Sequence, residues 1–277
     1  MASDILVGLV GAGIQASRSP SLHTREAARL GLRYFYRLFD TDETTAALPD
    51  ILRHAEELGY AGLNITHPYK QQVIQYLDEV RDEAAVLGAV NTVVFREGKR
   101  LGYNTDWWGF AENLRLGLPG VRLETVTLLG AGGAGSAVAY ALGHARVSQL
   151  LIYDPDQDRT VDLIDRLLRH FPETTLQPVS RLPGALSVSN GLVNASPIGM
   201  EGHAGTPVPV DFLRPELWVA DVVYFPLETQ LLHDARSRGC RTLDGGGMVV
   251  YQAAKCFELF SGVKPDADRM RADFLSM

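Results

Sequence analysis

Short apolar runs alternate along the chain with stretches in which apolar residues recur every three or four positions. The first pattern predicts buried strands and the second predicts helices with one core-facing stripe. ILVGLV, RYFYRLF and AGLNIT are expected strands, and SLHTREAARLG and LPDILRHAEELG are expected helices, each closed by a glycine. QQVIQYLDEVRDEAAVLG is predicted as one helical stretch, and VNTVVFREGKRLGYN as a hairpin turning at Glu97 and Gly98. A helix is expected over Phe110 to Leu116. From Thr125 the alternation starts again. VTLLG and SQLLIYD are expected strands, with GAGSAVAYALGHA a helix between them. TVDLIDRLLRHF is an amphipathic helix with Leu163, Ile164, Leu167 and Leu168 on its apolar stripe. GLVNAS, LWVADVVY and CRTLDG give three more strand candidates, and the chain is again helical from Met248. The pattern is that of an α/β protein made of two βα units.

Composition narrows the partners. The 277 residues are 46% hydrophobic and 21% charged, ordinary for a globular chain with room for two cores. A net charge of −7 argues against a nucleic-acid partner or an anionic membrane surface, both of which favour a basic face. Cys240 and Cys256 lack metal-type spacing and are expected to be buried free thiols. The seven histidines are scattered, so no metal is expected. With Asp4 and no basic residue before Arg18, the start does not resemble a signal peptide, and a cytoplasmic location is expected. Residues 125 to 145 are uncharged but carry five glycines, which suits a strand, turn and helix better than a membrane span.

Two stretches share the spacing of a dinucleotide-binding turn: Gly11, Gly13 and Ala16, then Gly130, Gly132 and Gly135. Such a turn needs a strand before it and an unbroken helix after it, so that helix amides face the pyrophosphate. After Gly135 the chain reads SAVAYALGHA, with no breaker. After Ala16 it runs into Ser17-Arg18-Ser19-Pro20, where the proline resets the backbone. Asp154 closes SQLLIYD 19 residues past Gly135, where a ribose-binding acid belongs; Asp40 is a rival acid after RYFYRLF. The second turn is therefore the expected nucleotide site.

The first stretch then offers two hydroxyls, Ser17 and Ser19, on one side of an extended segment, suited to a small anion or, more simply, to helix capping by Ser19 ahead of Pro20. NITHPYK delivers Lys70 at an expected helix start, the unfavourable end of the helix dipole for a cation. Asn91 lies in an apolar strand, Asp106 stands before a helix that it could cap, and Gln252 follows a glycine run on a helix. Each has an ordinary explanation as a solvated or capping residue.

Taken in order, Ser-x-Ser, Asn-x-Thr-x-Pro-x-Lys, the Asn-Thr strand, Asn-Thr-Asp and Gly-Met-x-x-x-Gln around one dinucleotide turn resemble the shikimate/quinate dehydrogenase family over essentially the full chain. DVVYFPLET and NASPIGM match further family blocks, with Ser196 where threonine is commoner. The resemblance implies an N-terminal α/β substrate domain completed by C-terminal helices (residues 1–107 and 248–277) and a Rossmann-type domain between them (residues 108–247). It implies reversible NAD-linked oxidation of the C3 hydroxyl of shikimate or quinate, with Lys70 and Asp106 catalytic. Ser17 and Ser19 would take the substrate carboxylate, and Thr66, Lys70, Asn91, Asp106 and Gln252 the ring hydroxyls, with Tyr224 close by. Gly130, Ala131, Gly132, Gly133, Ala134, Gly135, Asp154, Arg159, Ser196, Val223 and Gly247 would face the cofactor.

Within the family, an aminoshikimate-type dehydrogenase is an alternative, and a silent sensor of NAD and a polyol acid is another; the presence of both Lys70 and Asp106 speaks against the sensor. Tyr251 and Lys255 have short-chain-dehydrogenase spacing but fall far behind the nucleotide turn, as chance spacing on an amphipathic helix would. The expected partner is a small molecule, with the chain a monomer or homodimer.

Overall fold

The computed structural model describes residues 4–277. Two compact units divide the chain: the residues up to Thr105 with Val250–Met277, and Asp106–Val249. Both boundaries fall two residues from the expected ones.

The first unit is built on a mixed six-stranded sheet. β1 (Ile5–Gly11) lies parallel to β2 (Tyr34–Asp40) and β3 (Gly62–Ile65). β5 (Thr92–Arg96) runs antiparallel to β3 and forms a hairpin with β6 (Lys99–Tyr103), and the edge strand β4 (Glu79–Val80) pairs parallel to β6. The hairpin turns at Glu97 and Gly98, both with positive φ (55° and 72°), as a twist-compatible two-residue turn requires. Strand alternation sends Val10, Leu63, Ile65 and Val93 to a core shared with α2 (Leu48–Glu57). Val7, Tyr34, Val94 and Leu101 go to the other, with α1 (Ser19–Arg29) and α9 (Gly246–Ser261), through Ala27, Cys256, Phe257 and Phe260.

The C-terminal helix α10 (Ala267–Leu275) is tied to α1 by charge. The buried Glu26 carboxylate accepts from Arg269 at 2.7 Å and from the Asp266 amide at 2.8 Å, and Arg29 grips Asp273 with both terminal guanidinium nitrogens. A buried carboxylate tolerates its site when its lone pairs are used in this way.

The second unit is an all-parallel six-stranded sheet in the order β12-β11-β10-β7-β8-β9. The strands are β7 (Thr125–Leu129), β8 (Gln149–Tyr153), β9 (Thr175–Pro178), β10 (Gly191–Asn194), β11 (Trp218–Asp221) and β12 (Thr242–Leu243). Read from the other edge this is the 3-2-1-4-5-6 order of a doubly wound nucleotide fold, whose ligand crevice opens where the order reverses, between β7 and β10. α4 (Asp106–Gly117), α5 (Gly133–His144), α6 (Gln157–Leu168), α7 (Leu182–Val188) and α8 (Gln230–Ser237) complete the unit. No helix of the described residues is long and apolar enough to cross a membrane.

Three local expectations are corrected. Residues 71–88 are not one helix: a 3-10 turn over Gln72–Tyr76, β4 and α3 (Asp82–Leu87) share them. The Arg100 carbonyl accepts from the Asp78 amide and the Gly102 carbonyl from Arg81, so edge pairing outweighs helix propensity there. Leu168 is 45% exposed; the buried stripe of α6 is Thr160, Leu163, Ile164 and Leu167. β9, α7 and α8 lie in segments where no element was expected.

His23 is buried on α1 against Tyr34, Tyr36 and Phe257, its Nδ1 2.9 Å from the Tyr34 hydroxyl. Burial pushes its pKa down from 6.5 to about 3. The unfolded chain binds a proton there below about 6.5 and the folded chain only near 3, so this residue drains stability as pH falls through that window. His23→Phe should therefore lose less unfolding free energy than the wild type between neutral pH and pH about 4.5, read by urea titration. Identical slopes for the two proteins would contradict the assignment.

Candidate active site

The two glycine turns have the same spacing and opposite hydrogen-bond accounts. In the first, the Asp40 carboxylate accepts from the Gly13 and Ile14 amides (both 3.0 Å), the Asp42 amide (3.1 Å) and the Gln15 side chain (3.2 Å). Burial alone would raise the pKa of Asp40; these hydrogen bonds outweigh it and hold the group below the ordinary carboxylate value. Gly11 is glycine because a Cβ there would lie 2.3 Å from the Thr66 side chain and 3.0 Å from the His67 carbonyl. That close approach seats the NITHP turn beside the Ser17 loop. The first turn is thus closed by the protein itself.

The second turn is open. α5 begins at Gly133 with Gly132 as N-cap, and, as at α1, α2, α3 and α7, no side chain caps it. A Cβ at Gly132 or Gly133 would meet nothing within 4 Å, leaving a bare cradle in front of the helix amides. Gly130 takes φ +98°, and a Cβ at Gly135 would sit 1.9 Å from the Gly130 carbonyl oxygen. Ala131 and Ala134 complete the loop. Helix-terminal amides with no side-chain cap and a glycine turn with room beside it together suit a pyrophosphate.

Asp154 follows β8 and is buried, accepting from the Ala131 amide at 2.7 Å and the Asp156 amide at 2.9 Å. Its carboxylate is thereby fixed beside the glycine turn. Arg159 is exposed on α6 and lies 3.1 Å from the Asp156 carboxylate. Beyond β10 and β11, Asn194 accepts from the Ser196 hydroxyl at 2.6 Å and its amide, and donates to Asp221. Asp221 also accepts from the Val223 amide and the Thr229 hydroxyl. Burial pushes its pKa up to about 6 despite those bonds. This pair, which the sequence did not single out, sets the loops carrying Ser196 and Val223. Gly247 opens α9, and a Cβ there would fall 1.8 Å from Asn113 Oδ1, a packing reason for the glycine. Tyr224 is 48% exposed after β11.

In the first unit, Ser17 and Ser19 are not on an extended segment. Arg18 is αR and is the N-cap, Ser19 is already helical, and the Ser17 Oγ accepts from the Ser19 amide at 3.3 Å. Pro20 sits in the first helical turn, where its missing N–H costs nothing, so the helix starts one residue earlier than expected. The Ser19 hydroxyl hydrogen-bonds Tyr36, and Arg18 lies over the Phe274 ring at 5.0 Å, so α10 holds the serine loop. Lys70 precedes a single 3-10 turn, not an α-helix, which removes the helix-dipole argument. Its carbonyl accepts from Val90, placing it beside Asn91, and Thr66 accepts from Tyr69. Asn91 stands one residue ahead of β5 and is buried, bonded to Thr105. Asp106 is the first residue of α4 rather than a cap outside it, and directly follows Thr105. Gln252 lies on α9, 3.4 Å from Thr105 Oγ1. Tyr251 is buried in the core and Lys255 pairs with Glu258, as chance spacing would leave them. Both cysteines are buried and neither is in a disulfide.

A doubly wound parallel sheet with an open glycine turn, joined to a separate α/β unit, defines a pyridine-nucleotide-dependent oxidoreductase of two units. Residues 9–93 match the family described as shikimate dehydrogenase substrate binding domain, and residues 245–272 the shikimate 5'-dehydrogenase C-terminal domain. A shikimate dehydrogenase (NADP(+)) of Streptomyces avermitilis is 50% identical over 98% of this chain and 95% of its own length. A quinate/shikimate dehydrogenase (NAD(+)) of Corynebacterium efficiens is 47% identical, covering 99% of this chain and 98% of its own. The structure of quinate dehydrogenase from Corynebacterium glutamicum in complex with NAD superposes with a TM-score of 0.95 at 44% identity, with 99% of each chain covered. The chain belongs to the shikimate dehydrogenase family.

Gly135→Ala should abolish nucleotide binding and destabilise the second unit, because backbone stands where the methyl would go. The check is a nucleotide titration followed by tryptophan fluorescence, with thermal unfolding alongside. Wild-type affinity in this variant would contradict the turn geometry.

Proposed function

We propose that the chain oxidises the C3 hydroxyl of shikimate, and of quinate, with NAD as hydride acceptor, and catalyses the reverse reduction. The fold and the family relation support the oxidoreductase class; the choice of NAD rests on one observation, the buried Asp154 carboxylate anchored to the glycine turn. When bound, the nicotinamide accepts the hydride that leaves C3. The N-terminal amides of α5 would hold the pyrophosphate, and Gly132 and Gly133 would leave it room. Asp154 accepts from the ribose hydroxyls with the lone pairs that its backbone partners leave. A 2′-phosphate there would meet Asp154, Asp156 and Asp158, and Arg159, the nearby cation that could answer it, is engaged by Asp156. Ser196, Val223 and Gly247 would face the nicotinamide end.

Ser17 and Ser19 bind the carboxylate, and Thr66, Asn91 and Gln252 bind the ring. Lys70 takes the hydroxyl proton during oxidation and returns it during reduction, and its charged form stabilises the developing alkoxide. Asp106 keeps the Lys70 amine and the reacting oxygen aligned. The proton-transfer groups are the chain's own, and no metal is needed.

Lys70→Ala should lower shikimate turnover about 10²–10⁴-fold while leaving NAD affinity unchanged. Near wild-type turnover would end the proposed role. Catalytic efficiency should be at least about tenfold higher with NAD than with NADP, equivalent to about 1.4 kcal/mol, and Asp154→Ala should shrink that ratio. A wild type that prefers NADP would contradict the cofactor assignment.

A further inference from the structure

Cys256 is fully buried on α9, one helical turn after Gln252, and is ringed by polar atoms. Its sulfur lies 3.0 Å from Asn64 Nδ2, 3.1 Å from Thr92 Oγ1, 3.1 Å from Thr105 Oγ1 and 3.7 Å from Gln252 Oε1. A buried thiol ordinarily behaves as a small hydrophobe, so four polar neighbours drawn from β3, β5, the segment before α4 and its own helix are unusual. They form one node joining residues of the substrate unit that are far apart in sequence.

The hydrogen positions follow from the donors that cannot be reversed. The Thr105 amide donates to Asn91 Oδ1 at 2.8 Å, which fixes that end of the side chain as acceptor. Asn91 Nδ2 then donates to Thr105 Oγ1 at 3.0 Å, and Thr92 Oγ1 donates to Asn91 Oδ1 at 2.9 Å. Tyr36 donates to Asn64 Oδ1 at 2.9 Å, which directs Asn64 Nδ2 to the sulfur. Of the remaining donors, the Thr105 hydroxyl is 3.3 Å from Asn91 Oδ1 and 3.4 Å from Gln252 Oε1, and the thiol is 3.1 Å from the Thr92 and Thr105 hydroxyl oxygens and 3.7 Å from Gln252 Oε1. Gln252 Oε1 is the end turned toward this donor cluster, which makes Nε2 the end able to donate to a ligand. Because Ser19 bonds Tyr36, the chain of contacts runs from the serine loop through Tyr36, Asn64 and Cys256 to Gln252 and Asn91.

We propose that Cys256 is a positioning residue of the substrate site: through Asn64, Thr105 and Gln252 its thiol holds the Gln252 and Asn91 amides with their N–H groups as donors for the oxygens of a polyol acid. The proposal rests on the substrate reading given above. It differs from a packing role in what it moves. A packing defect lowers stability and the active fraction; a released amide weakens substrate binding specifically, because a buried polar group that can turn away costs the ligand a hydrogen bond.

The test is steady-state kinetics of the full chain with shikimate and NAD, on Cys256→Val, close in shape without a hydrogen-bonding group, and on Cys256→Ser. The valine variant should raise the shikimate KM about tenfold, the loss of one net hydrogen bond, with KM for NAD unchanged. The serine variant, which keeps a donor and an acceptor, should recover most of it. Thr92→Val breaks the same node from β5 and should give the same KM signature if Cys256→Val does not fold. An unchanged shikimate KM in the valine variants, or a serine variant no better than valine, overturns the positioning role while leaving the enzyme assignment intact. A wild type that turns over neither shikimate nor quinate with either nucleotide overturns the functional reading, and this inference with it.

Discussion

The Asp40 carboxylate, accepting three backbone amides and the Gln15 side chain, is the interaction on which the division of labour depends. Two turns of equal glycine spacing would otherwise offer two anion cradles. Amide groups turned inward at a strand end must be paired, by the protein or by a ligand. Asp40 pairs them in the first turn, which converts it into a rigid base for the serine loop. In the second turn the equivalent acid, Asp154, accepts from the Ala131 and Asp156 amides, and no side chain caps α5.

The first unit spends its buried polar groups differently. Asn64, Asn91, Thr92 and Thr105 are all buried, and they are satisfied by one another and by the Cys256 sulfur. Such a network is costly if any member is lost, and in return it fixes which end of each amide can meet a substrate. The Glu26 and Asp273 pairs do comparable work at the edge of the unit, since they hold α10, and α10 in turn holds Arg18 between the two serines.

Much of the fold was legible because strand and helix periods differ and each unit repeats a βα alternation. Strong apolar runs such as VTLLG and TVVF came through as strands. The failures have physical causes. Residues 71–88 carry helical spacing, but Arg100 and Gly102 of the neighbouring strand capture their backbone. The N-cap at Ser19 failed because Pro20 is equally at home one position further into a helix. In the sequence the two turns differ by the proline after the first; Asp40, the carboxylate that closes it, reads there only as a rival ribose acid. Asn64, Tyr36, Asn194 and Asp221 escaped notice, since a buried polar residue is recognised by partners that only the tertiary fold supplies.

The central claim is that one glycine turn takes the nucleotide and the other cannot. Hydrogen–deuterium exchange of the full chain, with and without NAD, tests it directly at the backbone. The account predicts that NAD slows exchange in peptides covering Gly130–Ser136 and leaves those covering Gly11–Ser17 unchanged. Protection appearing in the first turn while the second exchanges as before would contradict it.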